Sequence, residues 1–125
     1  MKQVPVISIV DDDRSVRAAL KRLIGALGYT AVTFVSAEEF LNSAQLTTTD
    51  CLITDIQMPG LSGVELRNQL TAEGHDIPVV FITAYPEQRI ERRVLQNGAI
   101  GYLSKPIRES SLIGCIEEAL KQRKN

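Results

Sequence analysis

Short apolar runs and longer amphipathic stretches take turns along the chain. Val6–Val10, residues 51–54 and Val79–Thr83 are near-continuous apolar runs, the pattern of strands buried on both faces of a parallel sheet. Residues 31–35 and 99–103 are weaker runs of the same kind. Pro5 and Pro78 stand at the heads of their runs, where a missing N–H is tolerated. Between the runs the period changes to that of a helix. Val16, Leu20, Leu23, Ile24 and Leu27 form one stripe, and Gly28 closes it as a C-terminal cap. Ser36 with Glu39 reads as a capping box, stapled by Val35 and Phe40; Ser62 with Glu65 repeats the device, with Leu61 and Leu66. Ile90, Val94 and Leu95 make a fourth stripe that stops at Asn97-Gly98, and Leu112, Cys115, Ile116, Ala119 and Leu120 a fifth. The order βαβαβαβαβα predicts an α/β layered fold with right-handed crossovers.

Composition narrows the class. The 125 residues suit one domain, and an apolar share of 44% supplies an ordinary core. The formal charge of -1, from 14 Lys+Arg against 15 Asp+Glu, excludes a globally basic nucleic-acid binder. Cys51 and Cys115 are too few for a disulfide scaffold or a four-ligand zinc site and read as small buried apolar residues. No apolar run approaches the roughly 18 residues of a membrane span. The run at the N-terminus ends at once in Asp11, Asp12 and Asp13, unlike a secretion signal. The expectation is a cytoplasmic protein of one domain over residues 1–125, with no membrane partner. The polar residues 121–125 are either a natural end or the edge of a longer protein.

In an open parallel sheet, ligand sites form beyond the carboxyl ends of the strands. Asp11, Asp12 and Asp13 follow the first strand, Asp55 ends the third, Thr83 and Ala84 follow the fourth, and Ser104, Lys105 and Pro106 follow the fifth. Asp13 reads as a turn residue or the cap of the first helix. Asp11, Asp12 and Asp55 would repel one another without a cation, and hard oxygen ligands suit Mg²⁺ better than zinc. His75, the sole histidine, lies in a turn and is read as a solvated loop residue, so no Ser-His-Asp set exists. No glycine-rich phosphate loop is present either. The set suits phosphoryl transfer to a carboxylate. Asp55 is then the nucleophile, Lys105 pairs with a phosphoryl oxygen and the Thr83 hydroxyl bonds another.

Val10-Asp11-Asp12, Asp55-Ile56-Gln57-Met58-Pro59-Gly60-Leu61-Ser62-Gly63, Ile82-Thr83-Ala84 and Tyr102-Leu103-Ser104-Lys105-Pro106 resemble the receiver domain of two-component response regulators. Gly28-Tyr29 through Phe34, with Ser36-Ala37-Glu38-Glu39-Phe40-Leu41, is similar to the FixJ-type branch, whose members commonly carry a C-terminal helix-turn-helix domain. The resemblance implies a flavodoxin-like (βα)5 doubly wound parallel sheet of strand order 2-1-3-4-5. It implies that a sensor histidine kinase donates its phosphoryl group to Asp55. It implies Mg²⁺ on Asp12, Asp55 and the backbone carbonyl of Gln57, with Asp11 acting through water. It makes Thr83 and Tyr102 a switch pair, brings Lys105 to the phosphoryl oxygens and makes the Lys105-Pro106 bond cis. Gln57 and Tyr85 would tune phosphoryl lifetime.

The same family pairs a second receiver or an output domain through the fourth helix, fifth strand and fifth helix. Arg89, Arg92 and Arg93 on that face are either a solvated run or part of such a homodimer surface. DNA contact would need an output domain absent from these residues. Such a protein would catalyse only its own phosphorylation and dephosphorylation. Two rivals remain: a phosphate-independent pseudo-receiver used for protein contacts, and a haloacid-dehalogenase-type phosphatase. The phosphatase wants a second acid where Gln57 stands. Gly60 and Gly63 read as residues that let the backbone approach the site.

Overall fold

A computed structural model describes residues 3–123 of the chain. In chain order the elements are β1 Val6–Val10, α1 Arg14–Ala26, β2 Thr30–Phe34, α2 Ala37–Leu41, a 3₁₀ turn Ala44–Thr47, β3 Cys51–Asp55, α3 Gly63–Ala72, β4 Val79–Thr83, α4 Gln88–Gln96, β5 Gly101–Ser104 and α5 Glu109–Arg123. The five strands form one sheet in the order β2-β1-β3-β4-β5, and every neighbouring pair is parallel. This is the flavodoxin-like doubly wound arrangement expected from the alternation and the resemblance.

Side-chain alternation along the strands divides the core into two layers. Ile7, Ile9, Cys51, Ile53, Val80 and Ile82 face α1 and α5, where they meet Leu20, Ile24, Leu112, Ile116 and Ala119. Val10, Phe34, Leu52, Val79 and Phe81 face α2, α3 and α4, where they meet Phe40, Leu66, Leu70 and Val94. Every residue of β3 and β4 is buried, which is why those two runs are continuous rather than alternating. Among the described residues no helix is long and apolar enough to cross a membrane.

The helix signals act largely as read. Asp13 Oδ1 accepts the N–H groups of Ser15 (2.8 Å) and Val16 (3.3 Å), capping α1. Ser62 and Glu65 form a full capping box on α3. Gly28 and Gly98 take φ of 91° and 98°, the left-handed conformation that ends α1 and α4. At α2 the box is displaced: Ser36 accepts the Glu39 N–H, but Glu39 reaches back to the N–H of Val35, not of Ser36. Val35 is thereby turned out of the sheet and left exposed. Phe40 finds an edge-on partner in Phe34 instead, with ring centroids 5.3 Å apart.

Two strand boundaries move for the same kind of reason. β2 ends at Phe34 because Val35 already serves α2. β5 begins at Gly101, two residues after the start of its apolar run, because the Ala99 N–H donates to the Val94 carbonyl and completes the end of α4. The 3₁₀ turn has no apolar period or side-chain cap to mark it in the sequence. It is anchored by Thr49, whose hydroxyl donates to the Gln45 carbonyl and stands 2.6 Å from the buried Ser8 hydroxyl, and this explains a serine in the middle of β1. Cys51 is fully buried as expected, while Cys115 is only half-buried.

Candidate functional site

The acidic residues stand where β1 and β3 leave the sheet. Asp11 is fully buried. Its N–H donates to the Phe34 carbonyl (3.1 Å), its Oδ1 accepts the Asp13 N–H (2.8 Å), and its carbonyl accepts from Arg17 Nη1 (2.8 Å). Asp55, at the last position of β3, is also buried, and its Oδ1 accepts the Gln57 N–H at 3.3 Å. Asp12 sits beside them with its side chain exposed. Carboxylate oxygens of Asp11, Asp12 and Asp55 all lie within 4.8 Å of one another.

Lys105 reaches in from the end of β5. Its Nζ donates to Asp55 Oδ2 at 3.1 Å and stands 2.9 Å from Asp11 Oδ2. The peptide bond from Lys105 to Pro106 is cis, as the resemblance implied. Burial pushes the Asp11 carboxyl up, against the Asp13 N–H and the Lys105 ammonium, which lower it. Burial pulls the Lys105 ammonium down, but its contacts with Asp11 and Asp55 outweigh that and hold it above its ordinary value. The lysine is therefore a fixed positive charge between two buried acids.

One ammonium facing three carboxylates leaves the cluster short of positive charge. Asp11 Oδ2 is buried with no hydrogen-bond partner among the described residues, although the ammonium faces it as an ion pair. An all-oxygen cluster of three carboxylates with one ammonium to balance it is the donor chemistry a hard divalent cation takes. The residues present thus fit Mg²⁺.

Thr83 ends β4 and is buried; its hydroxyl oxygen accepts the Tyr85 N–H at 3.0 Å, which leaves the hydroxyl proton free to donate. Its carbonyl accepts the Lys105 N–H at 2.8 Å, tying the ends of β4 and β5 together. Tyr102 is half-buried and directs its hydroxyl to the chain entering α4, where it accepts the Glu87 N–H at 2.9 Å. Gln57 and Tyr85 are exposed at the rim. Arg89, Arg92 and Arg93 are exposed on α4, and His75 lies in the turn between α3 and β4.

Asp11, Asp12, Asp55 and Lys105 therefore meet directly, Thr83 adjoins them through the backbone, and Tyr102 stands off at α4. Gly63 is placed by contact: a Cβ there would overlap the Asp55 carbonyl. Two supporting residues escaped the sequence reading. Arg17 holds the Asp11 carbonyl from one turn inside α1. Glu38 on α2 accepts the Leu61 N–H at 2.9 Å across 23 residues of chain. Nothing in the local pattern distinguishes either from a solvated helix charge.

The comparisons with known proteins agree with this geometry. A family model described as the response regulator receiver domain matches residues 7–117. The chain is 38% identical over 116 residues to the response regulator protein TodT of Pseudomonas putida, covering 93% of this chain and 51% of the relative. It is 29% identical over 116 residues to the transcriptional regulatory protein FixJ of Bradyrhizobium diazoefficiens, covering 93% of this chain and 57% of that one. Among solved structures, that of the response regulator StyR superposes with a TM-score of 0.89 at 40% identity, covering 98% of this chain and 62% of the other. The chain spans about half the length of the curated relatives it matches.

Proposed function

We propose, from the premise that this chain belongs to the family of response regulator receiver domains, that it takes a phosphoryl group onto Asp55 from a sensor histidine kinase. The observation that carries the reading is the Lys105 ammonium held between Asp11 and Asp55, with the carboxylate of Asp12 beside them. A carboxylate oxygen of Asp55 attacks phosphorus. The phosphorus–nitrogen bond of the donor phosphohistidine breaks, and its electron pair leaves with the imidazole. Asp12, Asp55 and the carbonyl of Gln57, with Asp11 through water, would hold a Mg²⁺ ion. That ion would supply charge neutralisation between the acids and the incoming group.

The chain's own residues do the rest. Lys105 transfers its contact from the Asp55 carboxylate to a phosphoryl oxygen, and the Thr83 hydroxyl donates its free proton to another. The phosphoryl group adds nearly a full extra negative charge and strong acceptors where one carboxylate stood. Drawing Thr83 inward moves the segment joining β4 to α4, whose Tyr85 N–H it holds. Tyr102 then gives up the Glu87 N–H and turns inward, and the face of α4, β5 and α5 changes its preference for partners. A swing from mostly inactive to mostly active needs about 5.5 kcal/mol of differential stabilisation, within reach of one phosphoryl group bonded by a lysine, a hydroxyl and a cation.

The output is proposed to be transcription regulation in the cytoplasm, the role in the name of the relative FixJ, with DNA contacted only by a further domain. Exposed Gln57 and Tyr85 flank the approach of an attacking water and set phosphoryl lifetime. Intact mass after incubation with Mg²⁺ and acetyl phosphate tests the reading. One phosphoryl group is expected, and none on Asp55→Asn or without Mg²⁺. No addition to a folded chain would leave a phosphate-independent interaction module in its place.

A further inference from the structure

The segment of residues 57–62 leaves the acidic site just after Asp55, and carboxylates hold its backbone. The N–H groups of Gln57, Leu61 and Ser62 donate to the carboxylates of Asp55, Glu38 and Glu65. Two of these partners are local. Asp55 is the residue the segment serves, and Glu65 belongs to the capping box of α3. Glu38 comes from α2, on the far side of β3 in sequence, and fastens the segment to an independent element.

The contact is built from both sides. Gly60 adopts φ of 79°, and a Cβ on it would lie 2.5 Å from Glu38 Oε2. The missing side chain is what leaves room for the carboxylate to reach the next N–H. That hydrogen bond also holds the Glu38 carboxyl below its ordinary range. Met58 and Leu61 pack on the core layer beneath, so the segment is seated by apolar contacts and fastened from above by one charged acceptor.

We propose that Glu38 is a positioning residue: it latches residues 57–62 through the Leu61 N–H and so sets how well the acidic site holds a divalent cation. The inference rests on the phosphoryl-acceptor reading given above, with its cation at Asp12, Asp55 and the Gln57 carbonyl. Groups that orient metal ligands from outside govern affinity as the ligands themselves do. Without Glu38 the carbonyl of Gln57 samples a wider range of positions, and the cation loses a preformed ligand.

The test uses the chain with Mg²⁺ alone and then with acetyl phosphate. Calorimetric titration of Mg²⁺ should show affinity weakened about three- to fivefold in Glu38→Ala, the scale of one solvent-exposed hydrogen bond. The phosphorylation rate should fall by the same factor at low Mg²⁺ and recover at saturating Mg²⁺, because the latch acts on binding. Glu38→Gln keeps an acceptor oxygen and should stay within about twofold of the parent. Glu39→Ala is the control: it removes the neighbouring α2 contact to Val35 and should lower the thermal midpoint without altering Mg²⁺ affinity. Unchanged Mg²⁺ affinity in Glu38→Ala, or equal weakening in Glu39→Ala, would overturn the proposal. A parent chain that binds Mg²⁺ but accepts no phosphoryl group would sink the phosphorylation reading alone, and the latch would still be judged by the titrations.

Discussion

The Tyr102 hydroxyl accepts the backbone N–H of Glu87 at 2.9 Å, so a side chain of β5 holds the residue at which α4 begins. Glu87 makes no side-chain cap of its own. The start of α4, a helix with only Val94 fully buried, therefore depends on a neighbouring strand. Tyr102→Phe removes the acceptor and keeps the ring. Amide exchange in the first turn of α4 is expected to quicken about fivefold, the equivalent of one ordinary hydrogen bond. Phosphorylation at Asp55 should proceed undiminished. Unchanged exchange at Glu87 and in that turn would show that the hydroxyl does not hold the helix.

Lys105→Ala strips the cation from between two buried acids. Destabilisation of about 1–3 kcal/mol is expected, the cost of leaving buried carboxylates uncompensated. Added Mg²⁺ should restore part of it by replacing the lost positive charge. Urea unfolding with and without Mg²⁺ reads both effects. A variant as stable as the parent in the presence of a chelator would contradict the electrostatic account. Phosphorylated Lys105→Ala should also lose the phospho-dependent change in partner affinity.

Mg²⁺ should stabilise the parent chain by mass action, about 2.7 kcal/mol at a hundred times its dissociation constant. Asp12 is the exposed member of the cluster, so Asp12→Asn removes a ligand without a buried defect. In that variant the thermal midpoint should no longer respond to Mg²⁺ or to a chelator, while the midpoint in chelator stays near that of the parent. A full Mg²⁺ response in Asp12→Asn would remove this residue from the site.

Burial pushes the Cys51 thiol from its ordinary value of 9.0 up to about 12. In the unfolded chain it ionises near 9; in the folded chain it keeps its proton, so the unfolded state binds fewer protons above that pH. Stability is therefore full below pH 9 and falls as pH rises toward 12, by about 1.4 kcal/mol per unit at most. Cys51→Ala should lose this part of the slope in urea titrations run between pH 8 and 10.5. In the native protein near pH 8, Cys51 should resist iodoacetamide while half-buried Cys115 reacts slowly. Equal labelling of the two by mass spectrometry would contradict the burial.

Phosphorylation should promote self-association through the face of α4, β5 and α5. Arg92→Glu, on the exposed side of α4, should suppress it without altering phosphorylation. Light scattering with and without acetyl phosphate tests this, and an unchanged mass on phosphorylation would count against the surface.

Features set at short range are legible in the residues alone. The runs at Val6–Val10 and Val79–Thr83 mark strands buried on both faces. Asp13, Ser62, Gly28 and Gly98 mark helix ends, because each supplies a cap or a positive φ where the chain needs one. Strand-end positions then brought Asp11, Asp12, Asp55, Thr83 and Lys105 to one edge, since a parallel sheet sends every strand the same way. Tertiary structure decided the rest. Whether Glu39 reaches its own cap or the residue before it turns on how β2 meets α2. That Tyr102 holds Glu87, Arg17 the Asp11 carbonyl and Glu38 the Leu61 N–H depends on which elements pack side by side. A charged or hydroxyl side chain in sequence carries no mark of the distant backbone group it will find.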